Sequence, residues 1–371
     1  MMFSIFNYLI YGFFMQRIAI FIITILLLAA CSSNRSSTSP MKEHRGHANV
    51  KGGVYLEKDH NQSKIASASL DLDKEKFIDR MVSKHGFNRQ QLRNVLAQAN
   101  KLDWVINLMD KQAPKVSSPT APNGAWIRYK NKFITPSNLP RGVEFWNQYQ
   151  KELQRAYNEY GVPPEIIVGI IGVETGWGRV MGKTKIIDAL STLAFYYPRR
   201  AQYFSNELED FLVMCRDEGV DPFDLSGSFA GAMGYGQFMP SAFRRHAVDF
   251  NHDGYIDLWD PVDAIGSVAS YFKSHGWQRG KKVAVMADGQ ALSLDTGFST
   301  KYSIKTLAKV GLKPQSSLDG HTKVSLLRLD MGDRYQYWYG LPNFYTITRY
   351  NHSTHYAMAV WQLGLAVKEA R

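Results

Sequence analysis

The chain has 371 residues, of which 45% are hydrophobic and 21% are charged. These fractions are typical of globular proteins and argue against disordered, collagenous and polytopic membrane classes. The formal net charge is +11 and the length predicts about two domains. Cys31 and Cys215 are the only cysteines, too few for a zinc finger or a disulfide framework. Cys215 ends the apolar run that begins at Phe211, which predicts a buried structural thiol rather than a nucleophile.

The N-terminal residues resemble an export signal. An apolar run of 13 residues, 18–30, follows Arg17. It is shorter than the roughly 20 residues of a membrane-spanning helix and fits the apolar region of a signal peptide. The run ends in Leu28-Ala29-Ala30-Cys31, which resembles the lipobox of bacterial lipoproteins. We therefore predict that residues 1–30 are a signal peptide and that Cys31 becomes the acylated N-terminus.

The N-terminal segment also predicts where the protein is located in the cell. Translation starts either at Met1 or at Met15, where a more regular signal begins. A short buried helix and secretion without a lipid are the alternative interpretations. Ser32 stands where an aspartate usually retains lipoproteins in the inner membrane, so we expect a lipid anchor on the periplasmic face of the outer membrane. An exported lipoprotein does not routinely meet nucleic acid, so the basic charge is not assigned to that partner.

The rest of the chain predicts mostly helices. Residues 31–70 are rich in Ser, Asn, Lys, His and Gly without a sustained period, which predicts a flexible tether. Helical spacing follows at Asp73–Val82, with Asp73 as N-cap and Gly86 as the stop, and again at Asn88–Asn100. A loop is predicted at 111–124. The further predicted helices are 143–160, one opened by Pro163-Pro164, 204–218, 240–248 and 261–275.

The segment from about residue 281 to residue 350 has a different pattern. Short alternating runs lie between turn residues, which is typical of β-strands. These runs are Val283–Met286, Tyr302–Ile304, Lys323–Leu327 and Tyr335–Tyr339. The sequence therefore predicts a mainly helical (α+β) protein with a small β-containing segment late in the chain.

One carboxylic acid follows a strongly apolar segment. Residues 166–173 are apolar nearly all round a helix, which predicts burial, and Glu174 comes next. Burial disfavours a carboxylate and raises its pKa, as a general acid at neutral pH requires. Glycines flank Trp177, so a bound chain could approach the backbone and the indole could pack beside the acid. A core glutamate paired with Arg or a backbone amide is the alternative.

A second segment, residues 226–240, combines Gly, aromatic residues, Ser and Gln within fifteen residues. Such a loop can lay backbone and amide groups along a polar ligand while an aromatic ring stacks on it. It contains no G-x-S-x-G motif, which argues against a serine hydrolase. A tight structural turn is the alternative.

A third segment, residues 249–260, fits the D-x-[DN]-x-[DN]-G pattern of calcium loops. Gly254 provides the sharp turn at position six. The predicted oxygen donors are Asp249, Asn251, Asp253 and the Tyr255 carbonyl. Position twelve is Asp260 rather than Glu, and Asp263 competes with it as the closing ligand. We predict a Ca²⁺ site, with an Asp/Gly-rich turn as the alternative.

Together these stretches resemble the lytic murein transglycosylase B family over roughly residues 70–371. The matching stretches are the lipobox, 172–178, 197–201, 227–240, the loop from Asp249, and 343–360. The resemblance implies a catalytic region, 71–371, with a lysozyme-like helical core, an additional helical domain, a small β-containing domain and one EF-hand-like loop at 249–263. It favours Asp263 over Asp260, because the family's loop exceeds twelve residues. It implies one structural Ca²⁺ and no organic cofactor.

The resemblance also implies the reaction. The family cleaves the β-1,4 bond between N-acetylmuramic acid and N-acetylglucosamine in peptidoglycan without water, leaving a 1,6-anhydromuramoyl end, in cell wall turnover and remodelling. Glu174 would act first as general acid and then as base toward the sugar's own C6 hydroxyl, a nucleophile at high effective molarity. Ordinary glycosidases use two carboxylates, and no convincing partner for Glu174 is identifiable in the sequence.

The implied substrate contacts lie on several segments. Positions that match the family's glycan contacts are Ser228, Gln237, Tyr129, Tyr350, Asn351 and Tyr356. Arg199 and Arg200 are expected to meet carboxylates of the peptide stems, with a solvated basic face as the alternative. The expected partners are peptidoglycan strands, the membrane through the N-terminal lipid, and other cell wall enzymes. A lysozyme-type hydrolase and a non-catalytic peptidoglycan-binding scaffold are the rival functions.

Overall fold

The computed structural model describes residues 55–112, 121–291 and 293–371, with side chains from residue 70 onward. Helices dominate. They are α1 Tyr55–His85, α2 Arg89–Gln98, α3 Asp103–Gln112, α4 Ala125–Lys130, α5 Leu139–Gln148, α6 Gln150–Tyr160, α7 Pro164–Thr175, α8 Ile186–Tyr196, α9 Ala201–Asp217, α10 Pro240–His246, α11 Pro261–Ser274, α12 Ile304–Lys309, α13 Pro342–Tyr350 and α14 Thr354–Ala370. No helix within these residues is long and apolar enough to cross a membrane.

Helix α1 corrects the predicted tether. It begins at Tyr55, so the prediction of a flexible segment is wrong for residues 55–70, and Asp73 lies inside the helix rather than at its N-cap. The stretch from residue 54 to residue 85 contains neither Gly nor Pro, the two residues that most disfavour a helix interior. Gly86 ends it, as predicted, in a left-handed conformation with φ of 71°. The signal peptide, Cys31 and the remaining tether lie outside the described residues.

The other helix predictions are largely confirmed, with one division. Asn88 caps α2 by accepting the amide of Gln91 at 3.0 Å. The predicted helix 143–160 consists of two helices, because the backbone breaks at Tyr149, where φ is −109° and ψ is 31°. Gly161 ends the second one, with φ of 75°. The sequence analysis did not predict α3 and α8, which pack on each other. It also missed α4, α12, α13 and α14.

The centre of the core is the pair of helices α7 and α14. Residues Ile166–Thr175 of α7 are all buried. Two glycines permit the close approach: a Cβ on Gly169 would lie 2.2 Å from the Val360 carbonyl oxygen, and one on Gly364 would lie 1.8 Å from that of Glu165. Side chains from the N-terminal part of α14 therefore reach the C-terminal end of α7. This crossing positions the site described below.

A five-stranded antiparallel sheet packs beside the helical core. Its strands are β3 Ala284–Asp288, β4 Tyr302–Ser303, β5 Lys313–Pro314, β6 Lys323–Asp330 and β7 Tyr335–Gly340, in the order β4-β6-β7-β3-β5. The predicted strand segments are thus confirmed. One face holds a small separate core around Leu307, Leu326 and Tyr339. Two further short strands, β1 Thr184–Lys185 and β2 Ser226–Gly227, pair near the end of α7. Cys215 is a free, buried thiol in α9, as predicted.

Candidate active site

Glu174 lies at the C-terminal end of the buried helix α7. Gly176 ends this helix in the left-handed region, with φ of 59°, and its amide donates to the Gly172 carbonyl at 3.0 Å. The Glu174 side chain is only 5% exposed. A helix C-terminus carries partial negative charge, so this position disfavours the carboxylate form in addition to burial.

The hydrogen-bond partner of Glu174 is a tyrosine from α14. The hydroxyl of Tyr356, a fully buried residue, donates to Glu174 Oε1 at 2.5 Å. Burial raises the pKa of Glu174 to about 8, although the bond from Tyr356 opposes the rise. The other oxygen, Oε2, accepts no hydrogen bond from the described residues, which leaves it available to a ligand. The acid is therefore protonated at neutral pH.

Aromatic rings rather than charges surround this acid. Burial and the nearby charge of Glu174 raise the pKa values of Tyr129 and Tyr350 well above their ordinary range. The Tyr129 hydroxyl is buried and has no hydrogen-bond partner among the described residues. Tyr350 stacks on Tyr356 with ring centroids 6.5 Å apart and donates its hydroxyl to the Gly236 carbonyl at 2.5 Å. Among the described residues, no second carboxylate influences the pKa of Glu174.

Trp177 does not lie against the acid. Its indole Nε1 donates to the Val168 carbonyl at 3.1 Å, which folds the ring back along α7. A Cβ on Gly142 or on Gly172 would come within 2.7 Å of this ring, so α5 and α7 approach each other across the indole. Gly178 serves packing as well, since a Cβ there would lie 2.3 Å from the Tyr235 ring. These small residues assemble the core around the acid.

The loop 226–240 forms one wall of the site. Ser228 is 1% exposed, and its Oγ accepts the amides of Ala230 at 3.2 Å and Ala232 at 2.9 Å. Its side chain thus organises the loop itself. Gln237 has a left-handed backbone, with φ of 52°, and its Nε2 donates to the Gly234 carbonyl at 2.9 Å. The amide oxygen of Gln237 is left for other partners.

A cleft of about 340 Å³ opens beside this wall. Its lining includes four predicted contact residues: Arg200, Gln237, Tyr350 and Asn351. Arg199 does not line it, because its guanidinium lies exposed 3.4 Å from the Asp110 carboxylate. Sequence reasoning missed other lining residues, namely Tyr203, Glu207, Arg245, His246, Tyr271, His275, Arg349 and His352. Arg349 stands inside a stretch that carried the family resemblance, which was the available signal.

The acidic loop is folded around its own carboxylates. The Asp249 carboxylate accepts the amides of His252 and Gly254, at 2.7 and 2.9 Å. The buried Asp263 accepts the amides of Asn251 at 3.0 Å and Asp257 at 2.9 Å, so it joins both ends of the loop. Asp260 instead caps α11. The donor chemistry is all oxygen, as Ca²⁺ requires.

The carboxylates of the acidic loop do not surround a common position in this structure. Among the residues that the structure describes, no group of three or more His, Cys, Asp or Glu side chains is arranged to hold a metal ion. The donor set that the sequence predicts also includes the Asn251 amide and the Tyr255 carbonyl, which are neutral oxygens. The loop therefore fits Ca²⁺ by its donor types and by its folded turn, with the sharp bend at Gly254, where φ is 94°.

Comparisons with known proteins place the chain among transglycosylases. Residues 70–365 match the family model described as Transglycosylase SLT domain. Membrane-bound lytic murein transglycosylase B of Escherichia coli (strain K12) is 62% identical over 361 residues, which cover 96% of this chain and 99% of that protein. The match includes the segments that hold Glu174, the loop 226–240 and the acidic loop.

Solved structures are similar as well. The Escherichia coli lytic transglycosylase Slt35, solved in complex with bulgecin A and in complex with calcium, is 68% identical with a TM-score of 0.77, over 81% of this chain and 93% of that one. SltB3 from Pseudomonas aeruginosa, solved in complex with NAG-anhNAM-pentapeptide, is 27% identical with a TM-score of 0.69, over 81% of this chain and 79% of that one.

Proposed function

The chain belongs to the transglycosylase SLT domain family and is a peptidoglycan lytic transglycosylase, and we propose that Glu174 is its single catalytic acid and base. The observation that carries this assignment is a buried lone carboxyl group whose pKa is raised to about 8 by burial. Its neighbours are tyrosines, and none of the described residues donates a hydrogen bond to its Oε2. An acid that stays protonated at neutral pH is suited to general acid catalysis. Glu174 does not itself line the cleft, but Tyr350 does, and Tyr350 stacks on the Tyr356 ring that donates to the acid.

In the first step Glu174 donates its proton to the glycosidic oxygen between N-acetylmuramic acid and N-acetylglucosamine. The C1–O bond breaks and N-acetylglucosamine leaves as an alcohol. Positive charge develops at C1 of the muramoyl residue, and the new Glu174 carboxylate stabilises it through space. Tyr356 supports this carboxylate through the hydrogen bond to Oε1. The substrate's 2-acetamido group is placed to assist at C1.

In the second step the Glu174 carboxylate takes the proton from the C6 hydroxyl of the same muramoyl residue. The C6 oxygen attacks C1 and closes the 1,6-anhydro ring, which restores the protonated acid. Because the nucleophile belongs to the substrate, no second carboxylate is needed to activate water. The absence of a carboxylate partner beside Glu174, within the residues that the structure describes, supports this route. SltB3 was solved with an anhydro product, which supports it further.

The substrate contacts are proposed from the same geometry. Gln237, Tyr350 and Asn351 line the cleft, and we assign the glycan to them. Arg200 also lines it and is proposed to meet carboxylates of the peptide stems. Tyr129 adds a buried, unpartnered hydroxyl near the acid. Ser228, whose hydroxyl accepts two loop amides, is proposed to contact the glycan from this loop. Arg199, which pairs with Asp110 outside the cleft, is proposed to meet stem carboxylates there.

Two rival functions are separable by product analysis. Purified sacculi are digested with the wild-type protein and with Glu174→Gln, and the muropeptides are weighed by mass spectrometry. We expect anhydromuramoyl products from the wild type and a rate at least about 10³-fold lower from the variant. Muropeptides that carry a reducing end, which borohydride reduces, would identify a hydrolase. Undiminished digestion by the variant would refute the assignment of the acid, and an inactive wild type would favour a scaffold.

The acidic loop is proposed to hold one structural Ca²⁺ with Asp249, Asn251, Asp253, the Tyr255 carbonyl and Asp263. Bound Ca²⁺ would neutralise the acidic loop and cross-link its ends. Asp263 is preferred to Asp260, because it already contacts the loop at both ends while Asp260 caps α11. The calcium complex of Slt35 supports the metal's identity.

A lipid anchor at Cys31 on the periplasmic face of the outer membrane is proposed from the lipobox and from Ser32. The name of the Escherichia coli relative, which is membrane-bound, supports anchoring. Replacing Cys31 by Ala should release the protein into the soluble periplasmic fraction while the digestion of sacculi continues. Retention of the variant in membranes would contradict a lipid anchor at this residue, and recovery of the wild type with the inner membrane would contradict the location.

A further inference from the structure

A second cavity lies between the β-sheet and α13. Its volume is about 350 Å³, within the range of ligand sites in proteins. It is lined by one end each of β6 and β7, by the residues just before β4 and by the start of α13, and it shares His275 with the cleft described above. The two cavities are therefore adjacent, one in the helical core and one against the sheet.

The polar lining of this second cavity is cationic. Lys301 and Lys323 both line it, and no carboxylate does. Strands β4 and β6 pair Tyr302 with Val324 and Ser303 with Lys323, so the two lysines lie on the same face of neighbouring strands. Like charges in such positions repel each other. Neither ammonium group has an ion-pair partner in the part of the chain that the structure describes.

Arg349 connects the two cavities. It lines the catalytic cleft, and its guanidinium stacks over the Tyr345 ring at 4.1 Å and faces the Phe298 ring at 5.7 Å, both of which line the second cavity. Its Nε is buried without a hydrogen-bond partner among the described residues. Tyr345 itself is 44% exposed, a large apolar ring left open at the mouth of this cavity. A row of three cations thus leads from the cleft onto the sheet.

From this arrangement we propose that the cavity between the sheet and α13 binds the peptide stem of the peptidoglycan strand, with the stem carboxylates on Lys301 and Lys323. The inference rests on the proposed function and assigns a specificity site to it. Glycan hydroxyls and amides are neutral, whereas the stems carry carboxylates. A cationic cavity next to the cleft therefore selects for strands that still carry peptide. Arg349 guides the peptide stem from the cleft into the second cavity.

The test compares two substrates. Sacculi supply peptide-bearing strands, and sacculi treated with an amidase supply peptide-free glycan strands. The double variant Lys301→Ala with Lys323→Ala should lower the ratio of kcat/KM on peptide-bearing over peptide-free strands by about three- to tenfold. High salt should reduce the same ratio for the wild type. Lys305→Ala with Lys309→Ala, which removes two exposed lysines from α12 of the same subdomain, is the matched control.

Each outcome has a distinct meaning. An unchanged ratio in the lysine double variant, or an equal loss in the control, would overturn the peptide site. Loss of activity on both substrates in equal measure would also overturn it, since that result indicates a general defect. Failure of the wild type to cleave either substrate would count against the proposed function, and so the two failures are distinguishable.

Discussion

At the scale of single residues, burial raises the pKa of Glu174, and the hydrogen bond from Tyr356 limits this rise. The pKa of Glu174 is about 8, so its acid form is present below that pH and is lost as the pH rises through it. Tyr356 favours the charged form, because its hydroxyl donates to the carboxyl oxygen. Tyr356 therefore reduces the fraction of Glu174 that is protonated at high pH, and it supports the carboxylate in the second step.

Removing this hydroxyl gives a prediction about pH dependence. In Tyr356→Phe the pKa of Glu174 should rise further, and the alkaline limb of the pH profile of kcat/KM should move to higher pH. The rate at neutral pH should fall about tenfold, since the carboxylate form loses its donor. The profile is measured on sacculi with release of anhydro products as readout. Tyr157→Phe, at a tyrosine of α6 that lines neither cavity, is the control. An unmoved alkaline limb in Tyr356→Phe would contradict this role.

Sequence alone predicted Glu174 as the acid but not its contact with Tyr356. The prediction rests on a local pattern, since six of the eight residues before Glu174 are Ile or Val. Tyr356 is 182 positions away in the chain. Only the close crossing of α7 and α14 through Gly169 and Gly364 brings the two together, and no periodicity encodes a crossing. The expected neighbour Trp177 follows Glu174 closely in sequence, yet its indole turns away toward Gly142 and Gly172.

At the scale of elements, a carboxylate from the sheet holds the helix that carries Tyr129. Asp330, at the end of β6, accepts the amides of Asn123 and Gly124, each at 2.8 Å, just before α4 begins. Burial acts to raise the pKa of Asp330, but these amide bonds prevail and lower it to about 2. This contribution to stability is present above the ordinary Asp pKa and is lost only as the pH falls through 2. The sheet thereby positions one wall of the site.

Asp330→Asn should loosen α4, because an amide group accepts at one atom only and carries no charge. We expect kcat/KM on sacculi to fall about three- to tenfold, mainly through KM, with a decrease in Tm of about 2–4 °C. Asp333→Asn removes an exposed carboxylate three residues away and is the matched control. A variant with lowered Tm but unchanged KM would show that Asp330 stabilises the sheet without positioning Tyr129.

Element boundaries were predictable where a local stop signal exists. Gly86, Gly161 and the Pro163-Pro164 pair end or begin helices as predicted. The break at Tyr149 has no such signal, because this residue is neither a proline nor a glycine. The start of α1 at Tyr55 was missed for a related reason, since polar residues with good helix propensity lack the apolar period that identified the other helices.

At the scale of the whole molecule, the acidic loop packs against the loop 226–240, which forms a wall of the site. Leu258, just past the turn of that loop, accepts the amide of Tyr235 through its carbonyl at 2.9 Å. A Cβ on Gly234 would lie 2.2 Å from the same carbonyl oxygen. The wall that carries Gln237 therefore packs directly on the proposed metal loop. On the proposed site, a metal bound there would stabilise this wall rather than take part in the reaction, since Glu174 lies on another element.

Calcium should consequently raise stability more than it changes chemistry. With Ca²⁺ at about one hundred times its Kd, linkage gives about 2.7 kcal/mol of stabilisation, which corresponds to a rise in Tm of about 5–10 °C over the protein in EDTA. Differential scanning calorimetry measures this rise, and Asp253→Ala should abolish it. Asp257→Ala is the matched control, since this exposed aspartate stands in the same loop outside the proposed ligand set. An equal Tm in Ca²⁺ and EDTA for the wild type would refute the site. A loss of kcat in EDTA at a temperature where the protein stays folded would instead assign the metal a part in the reaction.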